Sequence, residues 1–379
     1  MKKTIIAASL TALAMGSVFA ANTYKYNQAQ GEPIKYNKDS ATEGGKLTGG
    51  WYYDHAENVN ANTNFDHSAN STDITLTGGT FDELIGGNHI KQPTYTESPK
   101  VTIGDTKVTM TDGSVGYFIG GSKASNSDKT TLITGDVTAV ISGGSVTGAG
   151  MGINGAEKVS VVGGSCVKST GYNNQGTPAS TTAETGNISL SISGGTFTGA
   201  VFGGSIADNY GETQASDSAK PDLSIKTGVS SLLIEGGTFD SSEFGVFGGS
   251  AALGKQSSTV SSGSSVSIDA KKAVVITGRV VGGDLLGLGG SDDYATSSTI
   301  NGSTSVSITG SGNITTTESV IGGSLLNLLE KDEESSSTIS GTSEIVIDAA
   351  NAVLGDEVIG GSYVRTQKDT GDASASVKG

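Results

Sequence analysis

The residues of this chain with the widest chemical repertoire are few and scattered. The three histidines, His55, His67 and His89, all lie in the first quarter of the 379 residues. A Ser-His-acid relay needs an imidazole within hydrogen-bond reach of a hydroxyl and a carboxylate that orients the ring. No spacing here supplies that. Neither HxH nor HExxH occurs, so surface histidines describe all three adequately. Cys166 is the one cysteine, which removes any internal disulfide framework even in an oxidising compartment. It follows Gly164-Ser165 where comparable segments carry Phe or Val, and the expectation is a buried, apolar thiol.

Carboxylates suggest two other chemistries. Asp292-Asp293 and Asp332-Glu333-Glu334 fall in equivalent oxygen-rich segments, a setting that suits calcium. They lack the GGxGxDxUx spacing of calcium-binding β-rolls, so solvated loop charge is the preferred reading. An enzyme acting on acidic polysaccharide needs clustered carboxylates with Arg or Lys on one face. Arg279 and Arg365 are the only arginines, and aspartate is not repeated at matching positions; Asp269 and Asp348 are expected at equivalent corners. No catalytic, cofactor-binding or metal-binding residue is therefore assigned, no cofactor is expected, and the chain is read as a non-enzyme.

The elements that would position any site are written in a repeat. An apolar pair followed by Gly-Gly-Ser recurs at Phe118–Ser122, Val201–Ser205, Val246–Ser250, Val320–Ser324 and Val358–Ser362. Ahead of it stands a strand ending in another Gly-Gly, as in Ile74–Phe81, Leu190–Phe197 and Leu232–Phe239. Ser257–Leu286 and Ser297–Leu326 align without a gap at a shift of 297 − 257 = 40 residues, and Ser336–Val364 is a third copy one residue shorter. The second landmark is eroded at Met151–Asn154, while Val159–Gly164 resembles a first landmark without a partner, implying partial duplication of one unit.

Val or Ile alternating with Ser or Thr is the pattern of a half-buried strand. Glycine at the strand ends would supply the positive φ or the close approach that a tight corner demands. Short strands with glycine corners, repeated in series, suit coils stacked at about 4.8 Å. The expected fold is all-β, a right-handed parallel β-helix (β-solenoid, pectin-lyase-like) of about eight Gly-Gly-marked repeats. A 40-residue period fits two coils or one coil with an excursion. Leu325–Leu329 is a candidate for one helical turn.

Residues 1–20 have the layout of a secretory signal: Lys2 and Lys3, an apolar run from Ile5 to Met15, and Val18-Phe19-Ala20 before the cleavage point. The mature chain is expected to begin at Ala21, with no cysteine there for acylation. Residues 21–72, rich in Tyr, Trp51 and Phe65, read as a cap over the first coil; 73–364 form the repeat domain, and 365–379 open a further, truncated repeat. The chain is then either a fragment of a longer protein or one whose last coil frays. Formal charge is −15, and loss of the two lysines with the signal makes it −15 − 2 = −17, which argues against nucleic acid as a partner. Glycine contributes 58 residues and proline 5, yet the 34% of hydrophobic residues alternate, so the chain is Gly-rich and folded.

The signal, the acidic Gly/Ser/Thr-rich body, Ser191-Ile192-Ser193-Gly194-Gly195-Thr196-Phe197 and the recurring Val-Phe-Gly-Gly-Ser resemble the passenger region of bacterial autotransporters and related surface adhesins over residues 73–364. The chain is also similar to the polymorphic outer-membrane proteins, although Gly-Gly-Thr-Phe replaces their Gly-Gly-Ala-Ile and their Phe-x-x-Asn is absent. The resemblance implies a β-helix exported to the cell surface, secreted or outer-membrane associated, with an outer-membrane translocator downstream if the chain is a fragment. It implies adhesion to a host surface, glycan or neighbouring cell. Two other readings stand beside it: a secreted polysaccharide-active β-helix enzyme, and a self-associating structural surface protein.

Overall fold

Residues 45–50, 52–54, 65–91, 100–125, 130–153, 157–168, 180–209, 222–254, 257–287, 295–328, 334–366 and 373–377 are described by a computed structural model. Residues 1–44, among them the signal-like stretch 1–20, and His55, Asp292, Asp293, Asp332 and Glu333 lie outside them. Every element among the described residues is a β-strand. The strands fall into a 27-stranded and a nine-stranded sheet, and all pairings but one are parallel.

The register shows how the repeat is used. Val266 pairs with Val306 and Val306 with Ile345, shifts of 40 and 39 residues. One repeat is therefore one coil. Each coil places short strands at five successive positions, exemplified by Ser257–Ser261, Ser264–Ala270, Val274–Ile276, Val280–Val281 and Leu285–Gly287. Stacking turns these positions into five parallel ladders. Full levels begin at Phe65, Lys100, Thr131, Thr181, Leu223, Ser257, Ala295 and Glu334. Leu325–Leu328 belongs to the fifth ladder as a strand, so the helical turn expected there does not form.

Two other expectations change. Val161 and Val162 stand in the fourth ladder between Phe118-Ile119 and Val201-Phe202. Val159–Gly164 is thus the second landmark of its own coil, and no unit is duplicated. Gly152-Ile153 forms the single antiparallel pairing, folding back on Glu157-Lys158 as an inserted hairpin. Within the segment read as a cap, Lys46–Thr48 and Tyr52–Asp54 pair in parallel with Glu83–Ile85 and His89–Lys91, and Phe65–His67 with Val101–Ile103. Leu47-Thr48-Gly49-Gly50 is a further copy of the second landmark, disguised in the sequence by Thr48 and Trp51.

Alternation sets the main core. Val137–Ile141 and Ile188–Ile192 bury every second residue, and the inward set joins Phe81, Val146, Phe197 and Phe239 from the third ladder. The fourth ladder breaks the alternation because it is covered on both faces. Val201 packs in the main core, whereas Phe202 packs in a second apolar column with Ile206, Phe247 and Leu285. Phe197 stacks on Phe239 at 4.8 Å between ring centroids and Phe202 on Phe247 at 4.9 Å, so stacked rings keep the coil spacing.

The two Gly-Gly landmarks have different causes. At the first, the second glycine turns the chain from the second ladder to the third with positive φ, +112° at Gly195 and +127° at Gly237. At the second, no glycine has positive φ; the requirement is close approach. A Cβ on Gly163 would lie 2.3 Å from the Gly203 carbonyl oxygen one coil on, and a Cβ on Gly120 would lie 2.2 Å from that of Gly163. The next residue extends the pattern. Ser122 N–H donates to Ser165 Oγ (3.2 Å), Ser165 N–H to Ser205 Oγ (3.0 Å), and Ser205 N–H to Ser250 Oγ (3.0 Å). A serine ladder thus runs beside the glycines, satisfying amides that would otherwise be buried without acceptors.

Gly163→Val should lower the stability of the stack by about 1–3 kcal/mol through overpacking, read as a lower Tm. An unchanged Tm would show that the coils do not meet at this corner.

Candidate functional site

The described residues place most of their unusual polar chemistry along the second apolar column. The residue after each Gly-Gly-Ser begins the fifth ladder, and the pairings align His89, Lys123, Cys166, Ile206, Ala251, Leu285, Leu325 and Tyr363 in one row. The later members are apolar, as the burial of this row requires. The first three are chemically functional and equally buried: His89 is 0% exposed, Lys123 8% and Cys166 2%.

Glu83, from just before the fourth ladder, answers the positive charge. Its Oε1 lies 3.3 Å from Lys46 Nζ and 3.4 Å from Lys123 Nζ, and its Oε2 lies 3.3 Å from His89 Nδ1. Lys123 also donates to the Tyr117 hydroxyl, with its ammonium 4.4 Å from the Tyr117 ring centroid. Register explains the meeting, because Lys46, Glu83 and Tyr117 are stacked neighbours, as are His89, Lys123 and Cys166. One carboxylate therefore ties together the first three levels of the stack.

Burial pushes the Lys123 pKa down, against the opposing charge of Glu83. It pushes the Tyr117 hydroxyl far above its ordinary value, reinforced by Glu83. The Cys166 thiol is pushed up to about 11, chiefly by burial and against the effect of Lys123. A thiol held protonated is a poor nucleophile, and the Tyr117 hydroxyl stays in place as a hydrogen-bonding group. The cluster is suited to holding coils together through buried, charge-assisted contacts.

A second buried group interrupts the serine ladder. Asp284 stands where the other coils have Ser250 and Ser324, and it is 0% exposed. Its Oδ1 accepts the Ser250 N–H at 2.6 Å, and its Oδ2 accepts the hydroxyls of Thr259 at 2.9 Å and Ser298 at 2.5 Å. Desolvation raises its pKa in spite of these bonds. A carboxyl able to span the interior thus replaces a serine and fastens the fifth ladder to the first.

The remaining sequence candidates do not converge. His67 sits in the first ladder, half-buried, where burial lowers its pKa against the charge of Asp66. Arg279 pairs with Glu318 at 3.2 Å, while Arg365 is in the fifth ladder opposite Asn327. Asp269, Thr309 and Asp348 share one row, so the two aspartates are equivalent, but both stand within second-ladder strands and not at the corners expected. Glu334 begins a first-ladder strand. Among the described residues, no group of three or more His, Cys, Asp and Glu is arranged to hold a metal ion. The sequence reading missed Glu83, Tyr117, Lys123 and Asp284. Alignment on Gly-Gly-Ser would have exposed Lys123 and Asp284 as polar members of a buried row and of a serine row.

No family model, curated protein or solved structure matches the chain.

Removing the Glu83 charge leaves Lys123 buried without its counterion, so Glu83→Leu should cost about 3–5 kcal/mol in chemical denaturation. Lys123→Met in the same chain should recover much of that loss. Asp284 gives a pH test with a defined sign. Its folded pKa is raised, so the folded state holds the proton more tightly, and stability from this group falls as pH rises above the ordinary aspartate range. Asp284→Ser should flatten that dependence, gaining most at neutral pH and least near pH 4. An identical slope in both proteins would show that Asp284 does not titrate there.

Proposed function

We propose that this chain is an exported bacterial surface protein, a right-handed parallel β-helix resembling an autotransporter passenger, whose work is adhesion and not catalysis. The observation that carries this reading is where the repeat varies. Each coil repeats the same five ladders, with one hairpin inserted between Gly152 and Lys158. The connection from the fifth ladder back to the first changes from level to level: 92–99, 126–130, 169–180, 210–222, 255–256, 288–294, 329–333 and 367–372. All have both ends anchored on the same edge of the stack. Such a scaffold can change its recognition segments without disturbing its coils.

Export is supported by the signal-like residues 1–20, and a right-handed winding by the strong preference of parallel crossovers for that hand. A host surface, a glycan or a neighbouring cell are the partners such a scaffold would meet. The acidic balance disfavours nucleic acid, and an outer-membrane translocator would complete the export route. The enzyme reading has weaker support, because Arg279 is engaged with Glu318 and the buried cluster faces the interior.

Two measurements test the proposal. N-terminal sequencing of the chain recovered outside the producing cell should begin at Ala21, and retention of Met1 would overturn export by this signal. Replacing residues 210–221 with a short Gly-Ser link should reduce binding of the purified chain to target cells or arrayed glycans while leaving Tm within error. Depolymerisation of an acidic polysaccharide by the purified chain would overturn the non-enzymatic reading.

A further inference from the structure

Glu83 and Lys123 form an ion pair that is almost wholly out of water. Lys123 Nζ lies 3.4 Å from Glu83 Oε1, and the two side chains are only 10% and 9% exposed. They stand 40 residues apart on successive coils, Glu83 in Thr72–Ile85 and Lys123 in Lys123–Ser125. Desolvation disfavours both charged forms, so an ammonium and a carboxylate pressed together in such a place stand close in energy to the neutral amine and the neutral acid. Burial lowers the Lys123 pKa in this sense. A neutral amine against a neutral carboxyl is the pair that condenses to an amide.

Three neighbours supply what the condensation needs. The Tyr117 hydroxyl accepts a hydrogen bond from Lys123 Nζ and also bonds Glu83, so it bridges the proton donor and the acid. Lys46 Nζ lies 3.3 Å from the same Oε1; its side chain is partly solvated, and it sets a cation against the oxygen on which negative charge would collect. Fully buried His89 places Nδ1 3.3 Å from Oε2, within reach of the oxygen that would leave. Stacking brings these five side chains together from three consecutive levels.

We propose that Lys123 and Glu83 join in an isopeptide bond, made once by the folded chain on itself and linking two successive coils covalently. Lys123 passes a proton through the Tyr117 hydroxyl to Glu83, and the freed lone pair forms the Nζ–Cδ bond. The oxyanion of the tetrahedral intermediate rests on Oε1 beside Lys46. The Cδ–Oε2 bond then breaks, and His89 hands Oε2 a second proton that Nζ has given up, so that Oε2 leaves as water. Of the three ammonium protons, two depart with that water and one stays on the amide. Nothing is oxidised or reduced, and no co-reactant is consumed. The product is favoured by burial, because two desolvated charges give way to one neutral amide.

Intact mass measurement of the purified folded chain, taken after denaturation, tests this. The mass should fall short of what the sequence requires, counted from the measured N-terminus, by one water. Trypsin should leave the bond after Lys123 uncut and release its peptide joined to the one that holds Glu83. Lys123→Arg keeps a cation in place but offers no amine, so its mass should match its sequence in full. An unaltered chain of full mass would overturn the proposal. So would a missing water that persists in Lys123→Arg, because the loss would then lie elsewhere.

Discussion

Backbone approaches backbone at the second Gly-Gly corner, and the rest of the stack is arranged around that fact. Carbonyl oxygens of successive coils stand where a β-carbon would otherwise be, as between Gly86 and Gly120 or Gly282 and Gly322. Only glycine lets the chain pass there at the spacing that parallel pairing demands. Once the corner is that close, the residues beside it are determined in turn. Serine follows because its hydroxyl accepts the amide of the preceding coil, and the apolar pair precedes because the fourth ladder is buried on both faces.

Hydroxyls also brace the corner across the interior. Thr72 Oγ1 donates to the Gly86 carbonyl at 2.6 Å, and Ser264 Oγ donates to that of Gly282 at 2.6 Å. A second ladder that looks like plain alternation in the sequence therefore begins with a residue facing a particular carbonyl. Asp284 shows how far this polar seam tolerates change, because a carboxyl can replace serine when three donors converge on it. Glu83 illustrates the opposite arrangement, one carboxylate shared by Lys46, His89 and Lys123 from three levels. Both groups draw their chemistry from stacking, which brings together residues 34 positions apart in Ser250 and Asp284 and 40 apart in Glu83 and Lys123.

Stacking holds each coil to the pattern of the one before it. Apolar columns, glycine corners and the serine ladder repeat with little latitude, because each coil is template for the next. The returns from the fifth ladder to the first vary in length, from 255–256 to 210–222.

The sequence by itself determined the all-β class, the repeat, the alternation of inward Val and Ile with outward Ser and Thr, and the burial of Cys166. Those properties are written in neighbouring residues with period two and in glycine spacing. Tertiary structure alone decided that 40 residues make one coil, that Val159–Gly164 closes its own unit after a hairpin insertion, and that the first landmark needs positive φ while the second needs close approach. It also decided that His89, Lys123 and Glu83 meet. The reason is physical: coil length, register and cross-coil distance are relations between levels of a stack, and local pattern fixes what each strand prefers without fixing which strand lies above it.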